Sequence, residues 1–150
     1  MGLIEDVGGG PVALDTAPFI YLLEEHPRYL PVVEPLFRTI DAGDLEAATS
    51  ALTLLEVLVV PYREADLALA ARYETILTRS RGLRLVDLSL PQLRASAQLR
   101  AATGMKTPDA LQVTAALSSG CTALVTNDDR WPTSVGTLRI LQVESYAGGA

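Results

Sequence analysis

Four acidic side chains, widely separated along the chain, stand where a carboxylate could take part in chemistry. Asp15 directly follows the short apolar run 11–14, and Asp128 comes soon after the apolar run 122–126. Glu56 interrupts the apolar stretch 54–60, and Asp109 follows a Thr-Pro pair. Carboxylates that come together from distant positions are typical of sites for hard divalent cations.

Glu56 is the most informative of the four because its neighbours are apolar. On a helix its same-face neighbours include Leu52, Val59 and Val60, so its charge is expected on an apolar face. An unpaired buried charge is strongly unfavourable, so we expect Glu56 to have a partner. That partner is either an arginine, in an ordinary ion pair, or a metal ion. Taken alone, Glu56 favours the ion pair.

Each of the other three acids also has an ordinary structural explanation. Asp15, after a strand, can cap the helix that follows. Asp109 falls in the first turn of a predicted helix, where an acid gains roughly 0.3–1 kcal/mol from the helix dipole. Asp128 lies in a polar loop, where acids are common. None of the four is specific by itself.

The combination of the four acids is more specific than any one of them. Two unit charges about 4 Å apart, at an effective dielectric near 20, repel by on the order of 4 kcal/mol. Such a cluster needs raised pKa values or a bound cation. Oxygen ligands without histidine or cysteine select Mg²⁺ or Mn²⁺. These ions bind phosphate oxygens, so the pattern indicates phosphodiester hydrolysis.

The elements that must position these acids alternate between short apolar runs and longer helical segments. Strands are predicted at 11–14, 46–49, 83–88, 122–126 and 139–143, and helices at 17–25, 29–42, 51–60, 65–80, 91–103 and 107–118. This alternation predicts an α/β fold with a mostly parallel sheet. Ligands of such sheets bind beyond the carboxyl ends of the strands, where Asp15 and Asp128 are expected.

Length and composition favour a single domain. The chain has 150 residues, of which 49% are hydrophobic, enough for a core without a disulfide or structural metal. We expect a loose leader over 1–10, the domain over 11–146 and a flexible tail over 147–150. No apolar run approaches the roughly 20 residues of a membrane span, and no export signal is visible. With a single cysteine, Cys121, expected as a buried thiol, these features predict a cytoplasmic protein without membrane association.

The net charge of −6 at first argues against a nucleic-acid partner. Two divalent cations in the acidic cluster add four positive charges and leave −2, so bulk charge is a poor guide to the field at a metal site. The candidate phosphate contacts are basic residues whose ordinary interpretation as surface charges is about equally good. They are Arg63, Arg72, Arg79, Lys106 and Arg130.

Four segments of the sequence resemble the characteristic blocks of PIN domains. They are ALDTAPFIYLLE at 13–24, SALTLLEV at 50–57, TPDALQVTAA at 107–116 and LVTNDDRW at 124–131. The blocks occur in the order and spacing of that family, over about residues 11–143. The resemblance is therefore carried by four separate matches rather than by one motif.

The resemblance implies a three-layer α/β/α sandwich with a mostly parallel sheet of four to five strands. It implies a ribonuclease that uses Mg²⁺ or Mn²⁺. Its catalytic and metal-binding quartet would be Asp15, Glu56, Asp109 and Asp128. Thr16, Thr126 and Asp129 would support that quartet through contacts with its members rather than as metal ligands. We hypothesise that hydrolysis leaves a 5′-phosphate and a 3′-hydroxyl.

The size of the chain is most similar to that of VapC-type toxins of toxin–antitoxin pairs. This resemblance implies an RNA substrate, an antitoxin protein that covers the active groove, and a homodimer. The alternative that stays open is a catalytically silent PIN-like module that binds RNA or protein. The presence of all four acids argues against lost catalysis, and metal titration distinguishes the two.

Three other classes with related α/β sites fit the sequence less well. A phosphoacceptor receiver needs an acidic pair after its first strand, whereas Asp15 stands alone. A haloacid-dehalogenase phosphatase needs Asp-x-Asp, which Asp15-Thr16-Ala17 does not provide. A dinucleotide-binding protein needs glycines after the first strand, and here they precede it.

Overall fold

A computed structural model describes residues 2–148. Its strands are β1 (Val12–Leu14), β2 (Ala47–Ser50), β3 (Leu83–Val86), β4 (Ala123–Thr126), β5 (Ser134–Val135) and β6 (Leu138–Gln142). Its helices are α1 (Leu3–Val7), α2 (Thr16–Leu23), α3 (Leu30–Asp41), α4 (Leu52–Arg63), α5 (Leu67–Arg79), α6 (Leu90–Thr103) and α7 (Thr107–Ser118), followed by a 3₁₀ turn at Val143–Tyr146.

The strands form one sheet in the order β3-β2-β1-β4-β6-β5. All neighbouring pairs are parallel except β5 with β6, in which Val135 pairs with Leu138 across a tight reversal. The mostly parallel α/β sheet predicted from the sequence is therefore confirmed. The sheet has six strands rather than four or five. The additional edge strand, β5, has only two residues and contains no apolar run from which it could be predicted.

Side chains alternate between the two faces of the sheet and so build two cores. Val12 and Leu14 face a core with α2, α3, α4 and α5, whereas Ala13 between them faces a second core with α7. Leu124 likewise faces the second core, and its neighbour Val125 faces the first. Both faces are covered by helices, as parallel sheets require. The three-layer sandwich predicted from the sequence is confirmed.

The two central strands, β1 and β4, end side by side. Val12, Ala13 and Leu14 pair in register with residues 123–125, and the Asp15 amide donates to the carbonyl of Val125 at 2.9 Å. The segments that follow the two strands therefore leave the sheet at the same edge. This edge receives Asp15 and, two residues beyond β4, Asp128.

The amino-terminal segment differs from the loose leader predicted over residues 1–10. Residues 3–7 form α1, and Leu3 and Val7, one turn apart on the same helix face, are 4% and 0% exposed in the main core. The Tyr146 hydroxyl donates to Asp6 at 2.6 Å, and Arg139 donates to the carbonyl of Asp6. The glycines at 8–10 suggested looseness, but two apolar anchors hold the segment in place.

Among residues 2–148, no helix combines the length and apolar composition needed to cross a membrane. The carboxyl-terminal tail predicted at 147–150 lies partly outside the described residues. The domain limits predicted at 11 and 146 stay a prediction.

Candidate active site

Asp15 occupies the junction between β1 and α2 and caps the helix that follows. Its Oδ1 accepts a hydrogen bond from the amide of Thr16, the first residue of the helix, at 2.8 Å, and so satisfies one of the free amides at the helix start. Its Oδ2 accepts one from the Thr126 hydroxyl of β4 at 2.7 Å. Both oxygens are thus oriented by donors from two different elements, and the carboxylate is fixed at the edge of the sheet.

Glu56 reaches the same edge from the middle of α4. The hydroxyl of Thr16 donates to Glu56 Oε1 at 2.5 Å, so a neutral hydroxyl, not an arginine, is its hydrogen-bond partner. The ion pair considered from the sequence does not form among the described residues. Its predicted apolar face is also only partly buried, because Val59 and Val60 are 42% and 50% exposed. Glu56 therefore lies half-buried at the rim of the helix layer.

Asp109 lies in the first turn of α7, half-buried. The charges of Asp15 and Asp128 act on it, as does the opposite charge of Arg130. The indole Nε1 of Trp131 lies close enough to favour the ionised form of Asp109, although no hydrogen bond of normal geometry joins them. Asp109 thus belongs to the cluster but has no salt bridge or hydrogen bond of normal geometry from its side chain among the described residues.

Asp128 follows β4 by two residues and is paired with Arg130. The Arg130 Nε donates to Oδ1 at 3.0 Å and its Nη2 donates to Oδ2 at 2.7 Å. The hydroxyl of Thr126 accepts from the Asp128 amide at 3.2 Å, so one threonine contacts two of the four acids. Asp128 is the only one of the four that the described residues neutralise with a cation.

The charges of the four acids act on one another. Burial raises the pKa of Asp15, Glu56 and Asp109, and the charges of neighbouring members of the cluster raise each of them further. Hydrogen bonds from Thr126 and Thr16 offset part of this for Asp15. The Arg130 guanidinium has the opposite effect on Asp128 and lowers its pKa to about 2.

The oxygen atoms of the four acids are suitable ligands for a hard divalent cation. In this structure, however, they are not arranged around a common point. The four acids supply only oxygen ligands, which Mg²⁺ and Mn²⁺ prefer. Among residues 2–148, no group of three or more His, Cys, Asp or Glu side chains is arranged to hold a metal ion. The Asp128 oxygens are occupied by Arg130, and one Glu56 oxygen by Thr16.

The supporting residues predicted from the sequence divide into two groups. Thr16 and Thr126 both donate to acids of the cluster, as described above. Asp129 is exposed in the turn after Asp128, and among the described residues it makes no hydrogen bond to the cluster. Its charge is one of those that raise the pKa of Arg130. The supporting role predicted for Asp129 stays a prediction, without a hydrogen bond among the described residues to favour it.

A buried polar network beneath the cluster was missed by sequence reasoning. Gln112 is 2% exposed; its Nε2 donates to the Thr53 hydroxyl at 2.8 Å and its Oε1 accepts from the Ser50 amide at 3.2 Å. The hydroxyls of Thr53 and Thr49 are 2.7 Å apart, and Thr49 donates to the carbonyl of Leu14. The network joins α7, β2, α4 and the end of β1. Its signal in the sequence was a glutamine within an apolar helical run.

Asn127 was also missed as a positioning residue for the loop after β4. Its Nδ2 donates to the Tyr21 hydroxyl at 3.0 Å, and its Oδ1 accepts from the Glu144 amide at 2.8 Å. The loop that carries Asp128 is thereby fastened to α2 and to the 3₁₀ turn. The type of residue was visible in the sequence, but its two partners are far away along the chain.

The five predicted phosphate contacts lie in different places. Lys106 and Arg130 line a cavity that also includes Asp109, directly beside the cluster. Arg72 and Arg79 line a different groove, along α5, whose lining contains none of the four acids. Arg63 ends α4 and is exposed. The positions of Lys106 and Arg130 suit a ligand at the acidic cluster, and the roles of all five stay predictions.

Comparison with known proteins shows which sequences and folds this chain resembles. The sequence profile of the PIN domain matches residues 12–133. No curated protein sequence matches the chain significantly. VapBC2 from Rickettsia felis, solved with a DNA fragment from its promoter, is 18% identical, with a TM-score of 0.67 over 87% of this chain and 97% of that one.

Two further structures share the fold. A toxin–antitoxin complex from Klebsiella pneumoniae is 17% identical, with a TM-score of 0.64 over 85% of this chain and 94% of the other. VapC20 from Mycobacterium tuberculosis, described as a toxin that cleaves the sarcin–ricin loop, is 14% identical, with a TM-score of 0.62 over 75% and 86%. At these identities the likeness is one of fold.

Proposed function

This chain belongs to the PIN domain family, whose profile spans residues 12–133, and we propose that it is a metal-dependent ribonuclease, the toxin of a VapBC-type toxin–antitoxin pair. The proposal is supported chiefly by the links that Thr16 and Thr126 make from Asp15 to Glu56 and to Asp128. The pKa of Asp109 is raised by the charges of Asp15 and Asp128 as well as by burial. RNA as the substrate rests on the likeness to a toxin that cleaves the sarcin–ricin loop.

The cluster is a poor arrangement for stability and a good one for binding a cation. Three of its four acids have no cationic hydrogen-bond partner among residues 2–148, and burial disfavours their ionised forms. A group of this kind is expected where a divalent ion supplies the missing charge. The four acids would hold Mg²⁺ or Mn²⁺, which when bound lowers the pKa of a water ligand and offsets phosphate charge.

The chain's own residues fix the orientation of the acids and the position of the substrate. Thr16 links Asp15 and Glu56, since its amide donates to one and its hydroxyl to the other. Thr126 links Asp15 and Asp128, since its hydroxyl donates to the Asp15 carboxylate and accepts from the Asp128 backbone amide. Lys106 and Arg130 lie beside Asp109, where they can bind the phosphates of an RNA strand.

The test is cleavage of RNA by the purified protein with Mg²⁺ or Mn²⁺ and with EDTA. We expect cleavage with either ion, none with EDTA, and a loss of at least about 100-fold for Asp15→Asn, since a group of this kind acts as a unit. Asp44→Asn, which removes an exposed carboxylate before the start of β2, at the edge of the sheet opposite the cluster, is the matched control and should cleave normally. Persistent cleavage by Asp15→Asn, or in EDTA, would refute the proposal.

An antitoxin partner and a homodimer are part of the same proposal. The outer side of α4 and the start of α5 leave large apolar side chains exposed, among them Leu55 at 60%, Tyr62 at 56% and Leu67 at 68%. Exposed apolar patches of this kind mark protein interaction sites. Co-expression with the product of an adjacent small reading frame should yield a stable complex, and light scattering of the chain alone should give twice the monomer mass.

The second candidate function is a catalytically silent PIN-like module that binds RNA or protein. The observation in its favour is that Arg130 occupies both oxygens of Asp128 and that no three acids are arranged to hold a metal ion in residues 2–148. A silent module need not take up metal. Calorimetric titration with Mn²⁺ separates the two, because the nuclease must bind the ion and lose that binding in Asp15→Asn.

A further inference from the structure

A cavity of about 540 Å³ adjoins the acidic cluster and is not explained by the hydrolysis of a phosphodiester bond. It lies between the segment that connects α6 to α7 and the loop that connects β4 to β5. Asp109 and Arg130 are part of its lining, so it opens directly onto the cluster. Its size falls within the range of roughly 300–1,000 Å³ that is usual for ligand pockets.

The lining of this cavity combines apolar walls with cations and hydroxyl groups. Met105, Trp131 and Val135 supply the apolar walls, and Lys106 and Arg130 supply the cations. Lys106 is exposed and makes no salt bridge within residues 2–148. Apolar walls with a few polar groups suit an aromatic ring, and exposed cations suit a phosphate.

Trp131 adds an independent observation. It is 7% exposed, and its indole Nε1 is buried without a hydrogen-bond partner. A buried donor left unpaired costs about 1–3 kcal/mol, so such donors are rare unless a ligand or a moving neighbour completes them. Trp131 and Asp109 both line the cavity, and this donor is close enough to Asp109 to favour its ionised form. The lining of the cavity is therefore polar beside Asp109.

We propose that this cavity is a nucleotide subsite, in which the base next to the cleaved phosphodiester bond packs against Met105 and Trp131 while Lys106 and Arg130 bind its phosphate. The proposal rests on the proposed function, because it identifies which part of an RNA substrate lies beside the cluster. It adds a preference for particular nucleotides next to the cut, which the four acids alone cannot provide.

The occupant is a nucleotide rather than a protein side chain for two reasons. The cavity places two cations beside an apolar wall, and a nucleotide offers a phosphate and a flat aromatic base in one ligand. The cavity is also continuous with the cluster through Asp109, and an RNA strand that passes the cluster must continue on one side of it.

Trp131 makes the test direct because it is the only tryptophan in the chain. The four nucleoside 5′-monophosphates, ribose 5-phosphate and inorganic phosphate are titrated in turn in Mg²⁺ buffer, and the indole fluorescence and the indole N–H resonance are recorded. We expect at least one nucleotide to bind about tenfold more tightly than ribose 5-phosphate, in line with the stacking of a base on an aromatic side chain.

Two variants show whether the response comes from the cavity. Ser134→Phe places a large side chain in the lining and should weaken nucleotide binding about tenfold, whereas Ser134→Ala should change it less than about twofold. Lys106→Gln should weaken the binding of nucleotides and of ribose 5-phosphate alike, because it removes a phosphate contact. Circular dichroism confirms that each variant is folded.

Several outcomes would overturn the subsite. They are the absence of any response to nucleotides, equal responses to nucleotides and ribose 5-phosphate, and equal binding by Ser134→Phe and Ser134→Ala. A response to N-acetyltyrosinamide or N-acetylargininamide but not to nucleotides would assign the cavity to a protein partner and also refute it.

Cleavage of RNA is measured on the same samples, which keeps the two proposals apart. Cleavage without any nucleotide response would leave the proposed function standing and refute the subsite. A nucleotide response in a protein that cuts no RNA would refute the proposed function, and with it the position of the nucleotide next to a cleaved bond.

Discussion

Arg130 binds the carboxylate of Asp128 through two nitrogens, at 3.0 and 2.7 Å, and the two residues are only two positions apart. The arginine side chain is 66% exposed, and that of Asp128 is 25% exposed. An exposed guanidinium can leave this pair at little cost, since exposed ion pairs contribute about 0.2–1 kcal/mol. Arg130 therefore occupies a position from which a divalent cation could displace it.

Replacing Arg130 should strengthen metal binding. Arg130→Gln removes the competing cation, so we expect Mn²⁺ to bind up to about fivefold more tightly, which corresponds to the upper value for an exposed pair. Calorimetric titration without RNA measures this. Arg28→Gln, which breaks the exposed pair with Glu144, is the control and should leave Mn²⁺ affinity unchanged. Equal or weaker affinity in Arg130→Gln would contradict the competition.

Thr126 should be required to orient Asp15. Thr126→Val keeps the shape of this fully buried side chain and removes the hydroxyl that donates to Asp15, so we expect activity to fall about 10–100-fold. Loss of that hydrogen bond should also raise the pKa of Asp15 further, which shifts the acid limb of the pH–rate profile to higher pH. Thr126→Ser keeps the hydroxyl and should restore the profile. A profile of Thr126→Val equal to that of Thr126→Ser would disprove the role.

The stability of the metal-free protein should decrease as the pH rises from about 4. The folded-state pKa values of Asp15, Glu56 and Asp109 are raised by burial, so over this range the folded state holds protons that the unfolded chain has lost. Asp128, with a pKa of about 2, acts in the opposite sense, and its contribution is lost below about pH 4. Urea unfolding in EDTA from pH 4.5 to 8 measures the decrease.

Two additions identify the source of that pH dependence. Mn²⁺ should flatten the decrease, because it binds the ionised acids of the folded state only. Asp109→Asn should make the decrease shallower, whereas Asp44→Asn should leave it unchanged. A decrease that is equally steep in Asp109→Asn and in the wild type would show that the acidic cluster is not responsible.

Gln112 should contribute to stability far more than other glutamines. Gln112→Met removes both hydrogen bonds and leaves the Ser50 amide without its partner, at a cost of about 1–3 kcal/mol. For a chain of this size each kcal/mol lowers Tm by roughly 2–4 °C. Gln92→Met removes an exposed hydrogen bond to Ser118 and should change Tm very little. Similar Tm values for the two variants would show that the buried network is dispensable.

The positions of the acids at the sheet edge were predictable because they depend on short-range patterns. The apolar runs before Asp15 and Asp128 mark buried strands, and parallel strands end at a common edge. The Thr-Pro pair before Asp109 likewise predicts a helix start. These features need only the local sequence and the general rules of α/β folds.

The partners of those acids were not predictable, because they depend on which side chains meet across the fold. An arginine was one of the two partners expected for Glu56, and its hydrogen-bond partner is instead the hydroxyl of Thr16, 40 residues away. The other expected partner, a metal ion, stays a proposal. The α1 helix was also missed, since five residues between glycines carry too little periodicity to predict packing. Local pattern gives the positions of the charges, and tertiary contacts decide how each charge is balanced.

The order of the strands has a consequence for the synthesis of the protein on the ribosome. Asp15 directly follows β1, but the neighbouring strand β4, which ends at Thr126 and leads to Asp128, is made more than a hundred residues later. A nascent chain that stops before β4 holds three of the acids without the strand that gathers them. Any activity of the cluster is therefore expected only after β4 has been made, and chains that stop before it are expected to be inert.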